Sequence, residues 1–359
     1  MTILVSQSSK SAKPLDRING FDYLRAIFSM LVVFWHTNAL NSITFSDRIH
    51  LVIYYSFALL AVPVFFQISL FLFHLKWESK KNYLKYRLKK LTTLYIVWVS
   101  IWILFSYANR DINFLTIIIQ GNWEETLFLI ISGAYSVSFF FFSLIALTIA
   151  SHFYQFFTVL KLKQIEVEKV TYGFLTISGA LMVGIPILTL NTEGTSFLRY
   201  PLLMEYWSPI NFIPYIFTSF LIANEFKQKK VTFKDPKFKL KIAFLGFCFL
   251  VATVTEYHYL YDPEMWRYLL PPYNRVSLVF GSSLILYLSL LPQPSVPQII
   301  KCLSDLSLGI FCIHSYVSYS FLFNTSALSH SVIKFLLVLG LTISLVTVLK
   351  KVSLIKHIV

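Results

Sequence analysis

Ten stretches of this sequence are each long and apolar enough to cross a lipid bilayer, and nothing else in the chain constrains its fold as strongly. They cover residues 20–40, 50–74, 91–108, 130–158, 170–190, 208–224, 241–258, 273–291, 305–324 and 331–349. A helix that crosses the hydrocarbon core needs about 20 mostly apolar residues. Composition agrees. Only 13% of the residues are charged, against roughly 25% in an ordinary soluble domain. A soluble protein of this size would lack the polar side chains to cover itself. A cytosolic enzyme, a disordered chain and a disulfide-stapled secreted domain are thereby excluded. The sequence predicts an all-α polytopic membrane bundle of about ten transmembrane helices. The 130–158 stretch exceeds what one upright helix needs, so it tilts or begins as an interfacial segment. Residues 112–128, DINFLTIIIQGNWEETL, are amphipathic and too short to span, and belong at the outer interface.

The basic residues set the orientation. Of the 31 Lys and Arg residues, 24 fall in the two tails and the alternate loops on one side of the spans. Only Arg48, Arg110, Arg199 and Arg267 fall on the other side, and Arg25, Arg275 and Lys334 lie within spans. This asymmetry is a positive-inside signal and puts both termini in the cytoplasm. It also disposes of nucleic acid as the reason for the net charge of +14, because the charge sits in short loops between apolar spans. Residues 1–19 read as a cytoplasmic tail, 20–349 as one transmembrane domain and 350–359 as a second cytoplasmic tail. The polar N-terminus, with Lys10, Lys13 and Arg17, is not a signal peptide. Cys248, Cys302 and Cys312 have no metal-ligand spacing and read as small buried residues.

Ionisable residues inside a membrane are costly and are functional candidates by default. The first span carries Asp22, Arg25 and His36. Eleven residues separate Arg25 from His36. At 100° per residue that is three turns plus roughly 20°, so the two share a face, about 16 Å apart along the axis. A cation near the inner surface and an imidazole deeper on the same face suit a path through the membrane. Arg25 alone equally fits a guanidinium that reaches the headgroups and pairs with Asp22. His36, behind Val33, Phe34 and Trp35, has no such escape, and its plainer role is a hydrogen bond to a neighbouring helix.

The run NGFDYLRAIFSMLVVFWH (19–36) resembles the opening signature of the acyltransferase-3 family of membrane proteins, an Asp and an Arg at the start of the first helix and then a His. Asp22, Arg25 and His36 match it position by position. VPVFFQISLFLF (62–73) resembles the family's second-span motif, with Ser69 matching and Leu70 where Gly is usual. YRLKKLTTLYIVW (86–98) resembles the entry to the third span, with Arg87 matching and Lys90 in place of a second Arg. LSDLSLGIFCIHSYV (303–317) resembles a late-span motif ending in His. There Ser307, Gly309 and His314 match, and Phe311 replaces the usual Tyr.

The resemblance implies a bundle of about ten helices forming a single acyltransferase domain. It implies transfer of an acyl group, most often acetyl, from cytoplasmic acyl-CoA to a hydroxyl of a cell-surface glycan or its lipid-linked precursor, across a bacterial inner membrane. Such a transfer needs the hydroxyl proton removed as the carbonyl is attacked, and an imidazole suits that task. His36 is then the general base, with an acyl-histidine intermediate as a variant. His314 orients it, stabilises the oxyanion, carries a second proton, or makes a helix-to-helix hydrogen bond. Asp22 joins the catalytic set by the same resemblance. Acyl-CoA acts as donor substrate, with no permanently bound cofactor and no metal. Its phosphates call for cations, and the resemblance selects Arg87, Lys90, Arg25 and Ser69, while the 75–90 loop as a whole also reads as a topology signal facing anionic lipid. Acids and aromatics such as Glu205, Tyr206 and Trp207 suit sugar recognition and equally an interfacial belt. A glycan or lipid transporter with Arg25 and His36 lining its path is the alternative. Against it, Pro63, Gly184, Pro186, Pro209 and Pro214 do not recur at matching places in two halves. A scaffold without catalysis leaves the shared face of Arg25 and His36 unexplained.

Overall fold

A computed structural model describes residues 17–39, 53–77, 82–109, 117, 123–161, 164–190, 205–262, 267–268, 271–320 and 331–352. Eleven α-helices of eight residues or more occur among them. They are α1 (Asn19–His36), α2 (Ala61–Lys76), α3 (Tyr83–Ala108), α4 (Trp123–Ile131), α5 (Phe139–Lys161) and α6 (Gln164–Leu190). There follow α7 (Pro214–Lys227), α8 (Pro236–Leu260), α9 (Val276–Ser289), α10 (Gln298–Tyr319) and α11 (Ser331–Lys351). A π-turn (Ile53–Phe57) and a 3-10 turn (Ala58–Leu60) run directly into α2. The described β-structure is one antiparallel pair, β1 (Tyr261–Asp262) against β2 (Arg267–Tyr268).

Among the described residues, seven helices are long and apolar enough to cross a membrane: the Ile53–Lys76 run, α3, α5, α6, α8, α10 and α11. Each of the ten expected stretches holds a described helix, but three fall short of that standard. α1 has 18 residues and carries Asp22 and Arg25. α7 and α9 have 14 residues each, which at 1.5 Å per residue is about 21 Å, less than the hydrocarbon core. Their shortness reflects position. α7 and α9 are buried along most of their length, and such interior helices need not reach both lipid surfaces.

Burial sorts the bundle into two layers. The apolar window of the Ile53–Lys76 run is 78% buried, whereas those of α6, α8 and α11 are 17% buried. α1 packs on α10, α2, α9 and α11, α7 packs on α2, and α8 packs on α9. An outer helix presents most of its circumference to lipid, so its apolarity reflects solvent rather than core. The interior is aromatic. Phe66 sits between Phe140 and Phe212, at ring separations of 4.6 and 4.4 Å. α1 and the end of α9 touch backbone to backbone at Gly20, where a Cβ would lie 1.9 Å from the Ser289 carbonyl oxygen.

Several expectations are corrected. The 130–158 stretch is not one tilted helix. α4 ends at Ile131, and α5 begins at Phe139. Between them Gly133, Ala134 and Tyr135 take φ of 59°, 57° and 55°, a left-handed turn. Such a turn strains Ala134 and Tyr135. Hydrogen bonds hold it, with Ala134 N donating to Leu129 O at 2.8 Å and Trp102 Nε1 donating to Ala134 O at 3.0 Å. The basic 75–90 segment is not all loop, because Lys85, Arg87, Lys89 and Lys90 lie in the first two turns of α3. Lys80 and Lys81 lie outside the described residues, as do Arg48, Arg110, Arg199, Glu264 and most of 112–122. Cys302 is exposed rather than buried. Arg275 pairs with Glu256, at 2.9 Å, and its side chain is fully buried. The same carboxylate accepts from Ser277 N at 2.9 Å, and Arg275 also donates to Ser56 Oγ at 3.4 Å. This ties the start of α9 and the π-turn before α2 to the end of α8.

Candidate active site

At the Lys/Arg-rich end of the bundle, α1, α2, α3, α5 and α10 enclose a cavity of about 630 Å³. Its walls include Arg25, Ser69, Lys76, Arg87 and Lys90, with Ser304, Asp305 and Ser307 from α10. Four of the seven residues singled out in the sequence (Arg25, Ser69, Arg87 and Lys90) thus come from three helices to one chamber. Arg87 is fixed within it. Nη2 donates to the Ser69 hydroxyl at 2.7 Å and to the Ser69 carbonyl at 3.0 Å, Nε donates to Thr148 Oγ1 at 3.3 Å, and the guanidinium lies 5.4 Å from the Phe73 ring centre. Ser69 therefore serves Arg87, which explains the two residues' joint place on one wall. Lys90, one turn further along α3, is exposed at the mouth. Arg25 makes no hydrogen bond to another described residue and stands in the wall as a half-buried cation.

Asp22 is elsewhere. It is 2% exposed and accepts from Arg17 Nε at 2.6 Å, Arg17 Nη2 at 2.8 Å and Ser304 Oγ at 2.8 Å. Arg17 reaches on to Asp305 at 3.2 Å. The carboxylates around Arg17 hold its guanidinium pKa above the ordinary value. Asp22 lies 14 residues before His36 on the same helix, about 21 Å along the axis. It cannot touch a group reacting at His36. It is a strut that locks the start of α1 to α10, and the expected Asp22–Arg25 pairing gives way to Asp22–Arg17.

The two histidines do meet. His36 ends α1, His314 lies in α10, and their ring centres are 4.9 Å apart. His314 is completely buried. Its Nδ1 faces the Ile310 carbonyl at 3.1 Å. A carbonyl only accepts, so Nδ1 carries the proton and Nε2 is the bare nitrogen, facing the Ser315 hydroxyl at 3.3 Å. The end of α1 is pinned around His36. Tyr54 donates its hydroxyl to the Trp35 carbonyl, and Ser318 donates to the His36 carbonyl at 3.5 Å. His36 borders a second, small cavity of about 30 Å³, walled by Val32, Ala61, Val62, Phe139 and Tyr273 among others. That is room for about one water or a group of two or three heavy atoms.

One residue, Phe311, borders both cavities. Its ring lies 6.0 Å from Phe65, 5.1 Å from Phe140 and 6.2 Å from His314. The three phenylalanines form an aromatic wall between the cationic chamber and the histidine pair. Sequence reading noted Phe311 only as a motif departure and missed Tyr83 and Tyr86, which also line the larger cavity. Their place in the first turn of α3, beside Arg87, was the available signal.

Beyond the histidine end, the left-handed turn sets Tyr135 near Glu205 and Glu125, whose charges join partial burial in raising its phenol pKa. Burial raises the Glu205 carboxyl and pushes the Tyr206 phenol up to about 12. Trp207 is buried and packs on Phe128 at 5.8 Å, so it is core rather than surface.

A family model described as an acyltransferase domain matches residues 18–351, nearly the whole chain. No curated protein and no solved structure matches.

Proposed function

The chain belongs to the acyltransferase-3 family and is a multi-pass membrane acyltransferase, and from that premise we propose that it moves an acetyl group from cytoplasmic acetyl-CoA to a hydroxyl of a cell-surface glycan or its lipid-linked precursor. The observation that carries this reading is the two-chamber arrangement. A cationic cavity toward one end of α1 is separated by one phenylalanine from a histidine pair at the other, His314 buried and His36 half-buried. In this reading the membrane is a bacterial inner membrane, with the cationic end and both termini on the cytoplasmic side, and the positive-inside bias supports that orientation.

In this reading Arg87, Lys90 and Arg25 receive the phosphates of the donor, Arg87 as a pre-set fork and Lys90 as a point charge. Tyr83 and Tyr86 offer faces for the adenine, where stacking is worth about 1–3 kcal/mol. The thioester end reaches toward Phe311. Arg25 and His36 are about 16 Å apart along α1, so the donor extends along the helix while its nucleotide stays at the cytoplasmic mouth. His36 takes the proton of the attacking acceptor hydroxyl, whose oxygen bonds to the thioester carbonyl carbon. The carbon–sulfur bond breaks, and the CoA thiolate leaves toward the cytoplasm. His314, its Nδ1–H held by the Ile310 carbonyl, presents Nε2 in a fixed orientation beside His36. The chamber of about 30 Å³ at His36 admits a group the size of acetyl. Ser69 and Asp22 act through others, Ser69 by clamping Arg87 and Asp22 by joining α1 to α10.

Mass spectra of the host's surface glycans test the reading, compared between wild type and His36→Ala at equal membrane abundance. An acetyl increment present in wild type and absent from the variant is the expected result. An increment unchanged in the variant removes His36 from the chemistry. Glycans that carry no acyl group but differ in exported amount point to transport instead.

A further inference from the structure

Helices α6, α7, α8 and α9, none of which walls the cationic chamber, line an apolar groove of about 690 Å³. It touches none of the residues assigned to the reaction. We propose that this groove is a specific site for one acyl chain of an anionic phospholipid, drawn from the leaflet at the Lys/Arg-rich end of the bundle.

The dimensions point to a chain. Along α6 the lining runs from Tyr172 to Gly184, 12 residues or about 18 Å, close to the depth of one leaflet's hydrocarbon. The groove is open along that whole length, the elongated shape that an extended acyl chain fills. The space is bounded by helices that face lipid, with Phe174, Ile177, Phe244 and Phe247 exposed on α6 and α8.

The lining is effectively hydrocarbon. Its three Ser and Thr hydroxyls all bond back to their own helices, Thr176 to Tyr172 O at 2.9 Å, Thr218 to Pro214 O at 3.3 Å and Ser283 to Val279 O at 2.7 Å. Water at this depth would find few partners, so the void fills with lipid. Glycines keep it open, since a Cβ on Gly179 or Gly184 would meet no atom within 4 Å.

One end is polar. Lys241 lines the groove and pairs with Glu225, whose other oxygen accepts from the Tyr287 hydroxyl at 2.9 Å. An ammonium has three donors, so it can keep that pair and still bind a phosphate oxygen. Lys237 and Lys239 lie exposed within one helical turn of it on α8, and this cationic cluster favours an anionic headgroup.

The test uses the full chain reconstituted in vesicles of phosphatidylethanolamine and phosphatidylglycerol, the latter carrying a photoactivatable acyl chain. Adducts should map to α6 and α8 residues of the groove. Phospholipid retained through purification in mild detergent should also fall by one molecule per chain in Gly179→Leu/Gly184→Leu. Gly340→Leu is the control. Gly340 has equally open space, but on α11 and outside the groove, so retention should not change. Lys241→Gln should shift the retained lipid from phosphatidylglycerol toward phosphatidylethanolamine. Adducts scattered over all lipid-facing helices, or equal retention in the groove variant and wild type, overturn the proposal. So does a dimer that dissociates in the groove variant, because a second copy would then be the occupant. Photolabelling is read on wild-type protein, so the test stands even if the double variant fails to accumulate.

Discussion

Arg87→Lys separates the proposed donor site from a mere belt of positive charge. The substitution keeps the charge and removes the fork. In the structure Nη2 makes two bonds to Ser69, at 2.7 and 3.0 Å, and Nε makes a third to Thr148 at 3.3 Å. These hold the guanidinium plane in the cavity wall before any donor arrives. A lysine ammonium can offer one point contact from a flexible stem, and it cannot bind phosphate bidentately while anchored to Ser69. The loss is about one charge-assisted hydrogen bond to the donor, worth roughly 1.5–3 kcal/mol. At about 1.4 kcal/mol per factor of ten, the KM for acetyl-CoA rises on the order of 10- to 150-fold. Because the contact is remote from the thioester, it is made equally in the ground and transition states, so kcat stays within about twofold. Ser69→Ala removes the shortest anchor and leaves the carbonyl, so KM rises by about 5- to 10-fold, the effect of one hydrogen bond. The two effects should not add, since a lysine at position 87 no longer uses the hydroxyl. The assay is CoA release in proteoliposomes as a function of acetyl-CoA, with His36→Ala as the blank. An unchanged KM in Arg87→Lys would sink the phosphate role. A fall in kcat at constant KM would move Arg87 to the chemical step.

Other outcomes follow from the same geometry. Phe311→Leu opens the wall between the two chambers, so the rate with hexanoyl-CoA relative to acetyl-CoA should rise; a constant ratio would mean that Phe311 does not limit acyl size. Glu256→Ala strands the fully buried Arg275 and should cost about 3–5 kcal/mol, seen as an earlier thermal transition in detergent. Gly20→Ala puts a methyl group 1.9 Å from the Ser289 carbonyl oxygen, an overpacking typically worth about 1–3 kcal/mol. Its thermal transition should fall too, while Gly340→Ala, with open space at its Cβ, should leave it in place. Asp22→Asn keeps the bond from Ser304 but loses the charge facing Arg17, so it should lower activity less than His36→Ala at equal abundance; an equal loss would require a closer role for Asp22.

The membrane class of the chain was legible because hydrocarbon imposes its demand residue by residue. Each spanning segment must be apolar along its length, and that is visible without knowing its neighbours. The shared face of Arg25 and His36 was legible too, since helical periodicity fixes which residues of one helix lie together. Where both failed, the missing information was local backbone geometry. The apolar 130–158 run gave no sign of the left-handed turn at Gly133–Tyr135, because apolarity is the same in a helix and in a tightly packed turn. Nor did the sequence name a partner for Arg275 inside its span, and Glu256 is the residue that α8 delivers to it.

Sequence alone determined that this is a helical membrane protein, that its positive charge gathers at alternate loops, and that one face of α1 carries a cation and an imidazole. These follow from composition and from the period of a single helix. Tertiary structure decided that His36 meets His314, 278 residues further along the chain, that Ser69 clamps Arg87, that Asp22 braces α10 instead of serving His36, and that Phe311 divides two chambers. Each of these is a contact between helices, set by which ridges and gaps interlock in the packed bundle, and no periodicity within one segment encodes the partner it will meet.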